Sequence, residues 1–222
     1  TGNFFMLLNP FALLAGIVSL TMILAQGAAY LQMRTTGELH LRTRRVTQIA
    51  TLVMMVCFIL AGIWVAYGIE GYVLKSVIDH HAASDPIGKD VVRETGAWMV
   101  NFRESPVLWV FPVLGVVLPL LTVLFSGKNK GALAFISSSL TIACVIMTAG
   151  IAMFPFIMPS VTNPGMSLTM WDATSSLRTL TTMTFAAIIF VPIILAYTAW
   201  CYYKMYGRIT KEDIERNSHS LY

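Results

Sequence analysis

Charge is what this sequence has least of. Lys, Arg, Asp and Glu make up 12% of the chain against 56% hydrophobic residues, and none of them, nor any His, falls inside five long apolar runs. The runs cover approximately residues 8–33, 46–69, 106–125, 132–158 and 179–203. Each reaches the roughly 20 residues of helix that a bilayer's hydrocarbon core requires, which excludes an ordinary soluble fold. An outer-membrane barrel is excluded too, because it would show segments of about ten residues alternating apolar and polar. The predicted class is an all-α membrane protein with five transmembrane helices, one long outer loop at 70–105 and a tail at 204–222.

Cysteine is scarce as well. Cys57, Cys144 and Cys201 are isolated, each within or at the edge of a run, so neither a disulfide framework nor a thiolate metal site is expected. There is no Walker loop, no G-x-G-x-x-G ahead of a helix, no H-E-x-x-H and no pair of carboxylates inside a run. Without Asp, Glu or His in the membrane, a proton relay made by this chain alone has no ionisable stations. No catalytic residue and no metal site is predicted within the chain. It opens on Thr1 with no targeting signal of its own, and the expectation is a fragment lacking its N-terminal part.

The net charge of +4 does not indicate nucleic acid, because the basic residues sort by membrane side. Segments 34–45, 126–131 and 204–222 hold ten of the fifteen: Arg34, Arg42, Arg44, Arg45, Lys128, Lys130, Lys204, Arg208, Lys211 and Arg216. The opposite side holds Lys75, Lys89, Arg93, Arg103 and Arg178. The positive-inside rule then places the N-terminus outside and the C-terminus in the cytoplasm.

Local signals refine this layout. Asn9 and Pro10 form a helix start, and Ala12 with Gly16 form a small-xxx-small pair where another helix would approach closely. Residues 34–45 read as a basic cytoplasmic loop suited to anionic headgroups, with His40 as a solvated loop histidine. In the outer segment, Val91, Trp98 and Phe102 follow helical spacing around Thr95, away from Lys89, Arg93 and Glu94, which predicts an amphipathic helix. His80 and His81 beside Asp79 and Asp85 read as an exposed polar cluster more readily than as a metal site. Pro112, Pro119 and Pro192 are expected to kink their spans. Ser137, Thr141, Cys144 and Thr148 share one helical face, read as a packing seam. Trp64, Trp109, Trp200, Tyr30, Tyr67, Tyr72, Tyr202 and Tyr203 fall near span ends as interfacial anchors. Thr210 and Asp213 suggest a short helix in the tail.

Four strings carry a resemblance: Tyr30 to Arg44 (YLQMRTTGELHLRTR), Ala149 to Pro159 (AGIAMFPFIMP), Leu168 to Ser176 (LTMWDATSS) and Gly207 to Arg216 (GRITKEDIER). They closely resemble subunit II of the bacterial cytochrome bd-type quinol oxidase, and the likeness spans the whole chain. The resemblance implies the C-terminal portion of a two-bundle subunit in the bacterial inner membrane, within a terminal oxidase that oxidises quinol and reduces dioxygen to water, contributing to the proton-motive force. It implies haem b and haem d in a partner, subunit I, with a bound quinone, lipid and small accessory membrane subunits as further contacts. A secondary transporter or permease subunit is the competing reading; it normally shows midplane charges or repeated halves, and neither is present.

Three residues stand out as polar contact candidates. Gln26 is read as interhelical glue or a ligand contact. Trp171 and Asp172 lie at the outer end of the last span, where Asp172 reads as an N-terminal cap or a partner contact.

Overall fold

The computed structural model describes residues 8–76, 89–204 and 206–207. Among the described residues five helices are long and apolar enough to cross a membrane. The first, α1 (Pro10–Arg34), starts as the sequence predicts: the Asn9 side chain accepts a hydrogen bond from the Ala12 amide at 2.7 Å, and proline occupies the first turn. It turns back through Thr35 and Thr36 into α2 (Gly37–Tyr67). The basic segment is therefore helix and not loop, which corrects the expectation for residues 34–45. Gly37 takes φ +69, in the left-handed region that only glycine occupies freely, and this permits a tight reversal. His40 rides on the first turns of α2, with Nδ1 2.9 Å from the Gln32 carbonyl.

The second helical hairpin joins α4 (Val110–Gly127) to α5 (Gly131–Met153). With α1 and α2 it forms a four-helix bundle whose apolar centre is Val18, Met54 and Val145, with Met22, Cys57 and Phe58 packed around it. The expected seam on α5 lies inside this bundle: Ser137, Thr141 and Cys144 are buried, and the Ser137 hydroxyl donates to the Leu118 carbonyl of α4 at 2.9 Å. At Gly16 no described residue of this chain makes the expected close approach, since a methyl group there would meet nothing within 4 Å. Tight contact falls elsewhere. A methyl on Gly115 would meet the Phe58 ring at 3.0 Å, and one on Gly131 would meet the Met33 backbone at 3.1 Å.

The last span, α7 (Leu177–Lys204), has no buried residue. It touches the bundle near its C-terminal end, where Tyr202 packs against Tyr30 with ring centroids 6.2 Å apart. Pro119 lies inside α4 and Pro192 inside α7, whereas Pro112 falls in the first turn of α4, directly after a short 3-10 helix, Pro106–Trp109.

The layer expected on the outer side is built differently from the expectation. Strands β1 (Glu70–Leu74) and β2 (Val91–Thr95) pair antiparallel, with Tyr72 opposite Arg93. The predicted amphipathic helix is thus a strand up to Thr95, then a short 3-10 helix, Ala97–Met99, and then α3 (Val100–Glu104). Val91, Val92 and Thr95 are β-branched and favour the pleat, and Gly96 at φ +76 ends it. The fourth span also stops early, at Met153, because Phe154 precedes Pro155 and takes an extended ψ of 135. Residues 154–158, expected inside the membrane span, instead lead into β3 (Phe156–Met158), which pairs with β4 (Leu168–Thr169) ahead of the short α6 (Met170–Ala173). Tyr72, read as an interfacial anchor, belongs to this outer layer: its hydroxyl donates to the Ser160 carbonyl at 3.0 Å, and its ring meets Trp98 and Phe156. The cluster at Asp79 to Asp85 and the tail helix around Thr210 and Asp213 lie outside the described residues.

Candidate functional site

The densest polar constellation lies in the outer layer, where α6 meets the strand that follows the long loop. Thr169 caps α6, and Asp172 returns the bond in a capping box, accepting from the Thr169 amide at 3.1 Å and from its hydroxyl at 2.6 Å. The same carboxylate oxygen, Oδ2, accepts from the Lys89 ammonium. The two side chains are 3% and 5% exposed, so this is a buried ion pair joining segments that α4 and α5 separate in sequence. Burial alone would push the Asp172 carboxyl up. The hydrogen bonds from Lys89 and Thr169, with the Lys89 charge, outweigh that and hold it below the usual carboxylate value.

Asp172 therefore caps α6 and not the last span, and its ionic partner lies in the same chain. Trp171, its neighbour, packs edge-on against Phe154 with ring centroids 6.1 Å apart, which closes the outer end of α5. Around them Arg93 donates to the Ser160 and Val161 carbonyls and lies 5.3 Å from the Tyr72 ring centroid, while Asn101 reaches the Ile151 and Phe154 carbonyls, both at 2.7 Å. These contacts tie both strand pairs to the bundle.

Gln26 is not part of this constellation. It lies about two turns before the opposite end of α1. There its Nε2 donates to the Ser139 hydroxyl of α5 at 2.7 Å, and its Oε1 is buried with no protein partner. Toward that same end the structure shows a stronger polar lock that sequence reasoning missed. Gln32, 1% exposed, donates to the Ser126 carbonyl at 3.0 Å and accepts from the Ser126 hydroxyl at 2.8 Å. Its signal was the amide's place in the last turn of α1, beside the basic segment. Arg44 extends the lock by donating to the Gly127 carbonyl at 2.6 Å and to Asn129 Oδ1 at 3.2 Å.

The described histidine is already engaged by protein groups. His40 has Nδ1 on the Gln32 carbonyl and Nε2 3.5 Å from Asn129 Oδ1, so neither ring nitrogen is presented to a bundle cavity. Among the described residues no group of three His, Cys, Asp or Glu could hold a metal ion.

Comparison with known proteins gives a consistent picture. The family model described as cytochrome bd terminal oxidase subunit II matches residues 1–205. The chain is 69% identical over its whole length to cytochrome bd-I ubiquinol oxidase subunit 2 of Escherichia coli strain K12, covering 59% of that protein. It is 54% identical, again over its whole length, to the probable cytochrome oxidase subunit 2 of Haemophilus influenzae, covering 58% of it. Cytochrome bd ubiquinol oxidase subunit 2 of Bacillus subtilis is 22% identical over 208 residues, 93% of this chain and 52% of the relative.

Proposed function

The chain belongs to the cytochrome bd terminal oxidase subunit II family, and on that premise we propose that it serves in the non-haem subunit of a membrane oxidase that oxidises quinol and reduces dioxygen to water. The family match over residues 1–205 carries this reading. The chain spans about 59% of the length of its Escherichia coli relative, so the natural subject of the proposal is a longer subunit with a second helical bundle. The relatives are oxidase subunits by name, and the transporter reading gains no support from them.

In this reading the chain's own role is architectural. Its bundle is held by Ser, Thr and Gln bonds between helices, and its outer layer by the Lys89–Asp172 pair, with Gln26, Trp171 and Asp172 as positioning contacts. Haem b and haem d are assigned to subunit I, and the surfaces left outside the bundle are available to that partner, to lipid, to a quinone and to small accessory subunits. The subunit lies in the inner membrane. The basic ends of α1, α2, α4, α5 and α7 face the cytoplasm, and the layer carrying the ion pair faces outward. Generation of proton-motive force belongs to the whole complex.

The test is to co-express the full-length subunit with subunit I, purify the complex, and record its reduced-minus-oxidised haem spectrum and quinol-dependent oxygen uptake. Both signals are expected. A folded two-subunit complex that lacks both overturns the oxidase reading.

A further inference from the structure

A cavity of about 470 Å³ opens at the basic end of the molecule, between the C-terminal end of α1, the α4–α5 turn and the residues that follow α7. Every charged side chain that lines it, Arg34 and Lys130, is cationic. Neither is in an ion pair among the described residues, where the acid at this end, Glu38, is taken by Arg42 at 2.6 Å. Among the described residues Arg34 is held in place by contacts that leave its charge unpaired. Its guanidinium lies 4.8 Å from the Tyr206 ring centroid and 5.6 Å from that of Tyr30, its Nη1 makes a long 3.4 Å bond to the Gly207 carbonyl, and its Nε is buried with no acceptor among the described residues.

The floor of the cavity adds positive potential. Gly131, Ala132 and Leu133, the first turn of the 23-residue α5, line it, and no side chain caps that turn. Gly131 lies against the Met33 backbone, where a methyl would stand only 3.1 Å away, so the helix start is drawn up beside Arg34. A guanidinium fork, an ammonium and open helix amides together suit a tetrahedral oxyanion. Met33 and the side chains of Ala132 and Leu133 add an apolar stretch to a lining that also holds Asn129, Tyr206 and Gly207, and the cavity lies where the spans end.

We infer that this cavity seats the phosphate group of an anionic phospholipid of the phosphatidylglycerol class. A free phosphate would satisfy the cations but not the apolar stretch. A zwitterionic lipid would bring its own cation to a site that already holds two. This inference rests on the membrane location of the chain and not on the oxidase reading, and its readout is independent of haem and oxygen uptake.

The test uses the full-length subunit in complex with subunit I, in nanodiscs of phosphatidylcholine containing phosphatidylglycerol, released into native mass spectrometry to count retained lipid. Retention of phosphatidylglycerol over phosphatidylcholine is expected. The double variant R34Q/K130Q should lower it roughly 10- to 30-fold, and R34K, which keeps charge but loses the fork, should fall between. R42Q, which removes an exposed cation at the same end, should change nothing. Should the double variant fail to assemble, K130Q and R34K carry the comparison. Equal retention by wild type and variants, or equal retention of the two lipids, overturns the site. Inorganic phosphate binding that Arg34 controls, without lipid retention, overturns the lipid as its source.

Discussion

The Lys89–Asp172 pair makes a quantitative prediction, because both partners are almost fully withdrawn from solvent. Asp172→Ala would leave the Lys89 ammonium buried beside the Thr169 amide and hydroxyl without the carboxylate oxygen that all three share among the described residues. Breaking a buried pair from one side costs about 3–5 kcal/mol, most of it the stranded charge. Asp172→Asn keeps an oxygen where Oδ2 was, so the Thr169 bonds survive in neutral form, but the Lys89 charge still lacks its counter-ion and the loss stays near the lower end of that range, about 3 kcal/mol. Removing both charges, as K89M/D172N, strands nothing and should be milder than D172A alone. Amide hydrogen exchange of residues 89–95 and 168–173 in the purified complex reads this as local opening. At about 1.4 kcal/mol per decade, D172A should speed exchange there by roughly two to three orders of magnitude, with the double variant slower than D172A. Additive effects of K89M and D172N would refute the reasoning, since coupling is its central claim. The pH dependence has a defined sign. The folded Asp172 carboxyl lies below its unfolded value, so its contribution is full above about pH 4 and is lost as pH falls through the lower folded value. Protection, corrected for intrinsic exchange, should be level between about pH 8 and 5 and collapse only in stronger acid.

Three further outcomes follow from particular contacts. Gly71→Ala would place a methyl 2.6 Å from the Trp98 amide nitrogen and 2.7 Å from Ala97 Cβ, so it should destabilise the β1–β2 layer by about 1–3 kcal/mol, read by the same exchange measurement. Gln32→Leu removes both bonds to Ser126, and by the usual worth of interhelical hydrogen bonds in membranes it should cost roughly 1 kcal/mol, seen as a lowered thermal midpoint of the complex in detergent. For topology, a cysteine at Lys128 should react with a membrane-impermeant maleimide only after lysis, and one at Asp90 in intact spheroplasts; the reverse pattern would invert the assigned orientation.

The spans were legible because lipid imposes one requirement, a long apolar helix, that any sequence must show openly. Boundaries were less legible, for a reason visible at both ends. Arg34 to Arg45 read as a loop because charge was equated with the end of a helix, yet α2 begins at Gly37 and carries Arg42, Arg44 and Arg45 on helical turns beyond the apolar stretch. At Pro155 the opposite happened: hydropathy continued to Met158 while the backbone had already left the helix. In the outer layer, three apolar residues at helical spacing were outvoted by β-branching at Val91, Val92 and Thr95 and by the strand partner supplied at Glu70–Leu74. Lys89 was assigned to a helix face because nothing local pointed to Asp172, 83 residues away. Small-xxx-small spacing at Gly16 marks where approach is sterically allowed, while the close approaches within this chain fall at Gly115 and Gly131.

The distribution of polar bonds gives the partition of charge a structural meaning. Three links between the bundle helices are neutral, Gln26 to Ser139, Gln32 to Ser126, and Ser137 to Leu118, and the charged link from Arg44 to the Gly127 carbonyl lies at the basic end. Each of the neutral links satisfies a polar group in lipid without the large desolvation cost of an ion. The buried ion pair lies outside the spans, where two strand pairs and α6 enclose it. A charge at that level can be exchanged with water during assembly, so the pair can form after the helices are in place. The bundle can therefore set helix register first, with the ion pair fixing the outer layer upon it. That order makes a separable prediction: in D172A the exchange of Ser137 to Thr148 amides should stay near wild type while the outer layer opens, and loss of protection in both together would mean that the outer layer and the bundle fold as one unit.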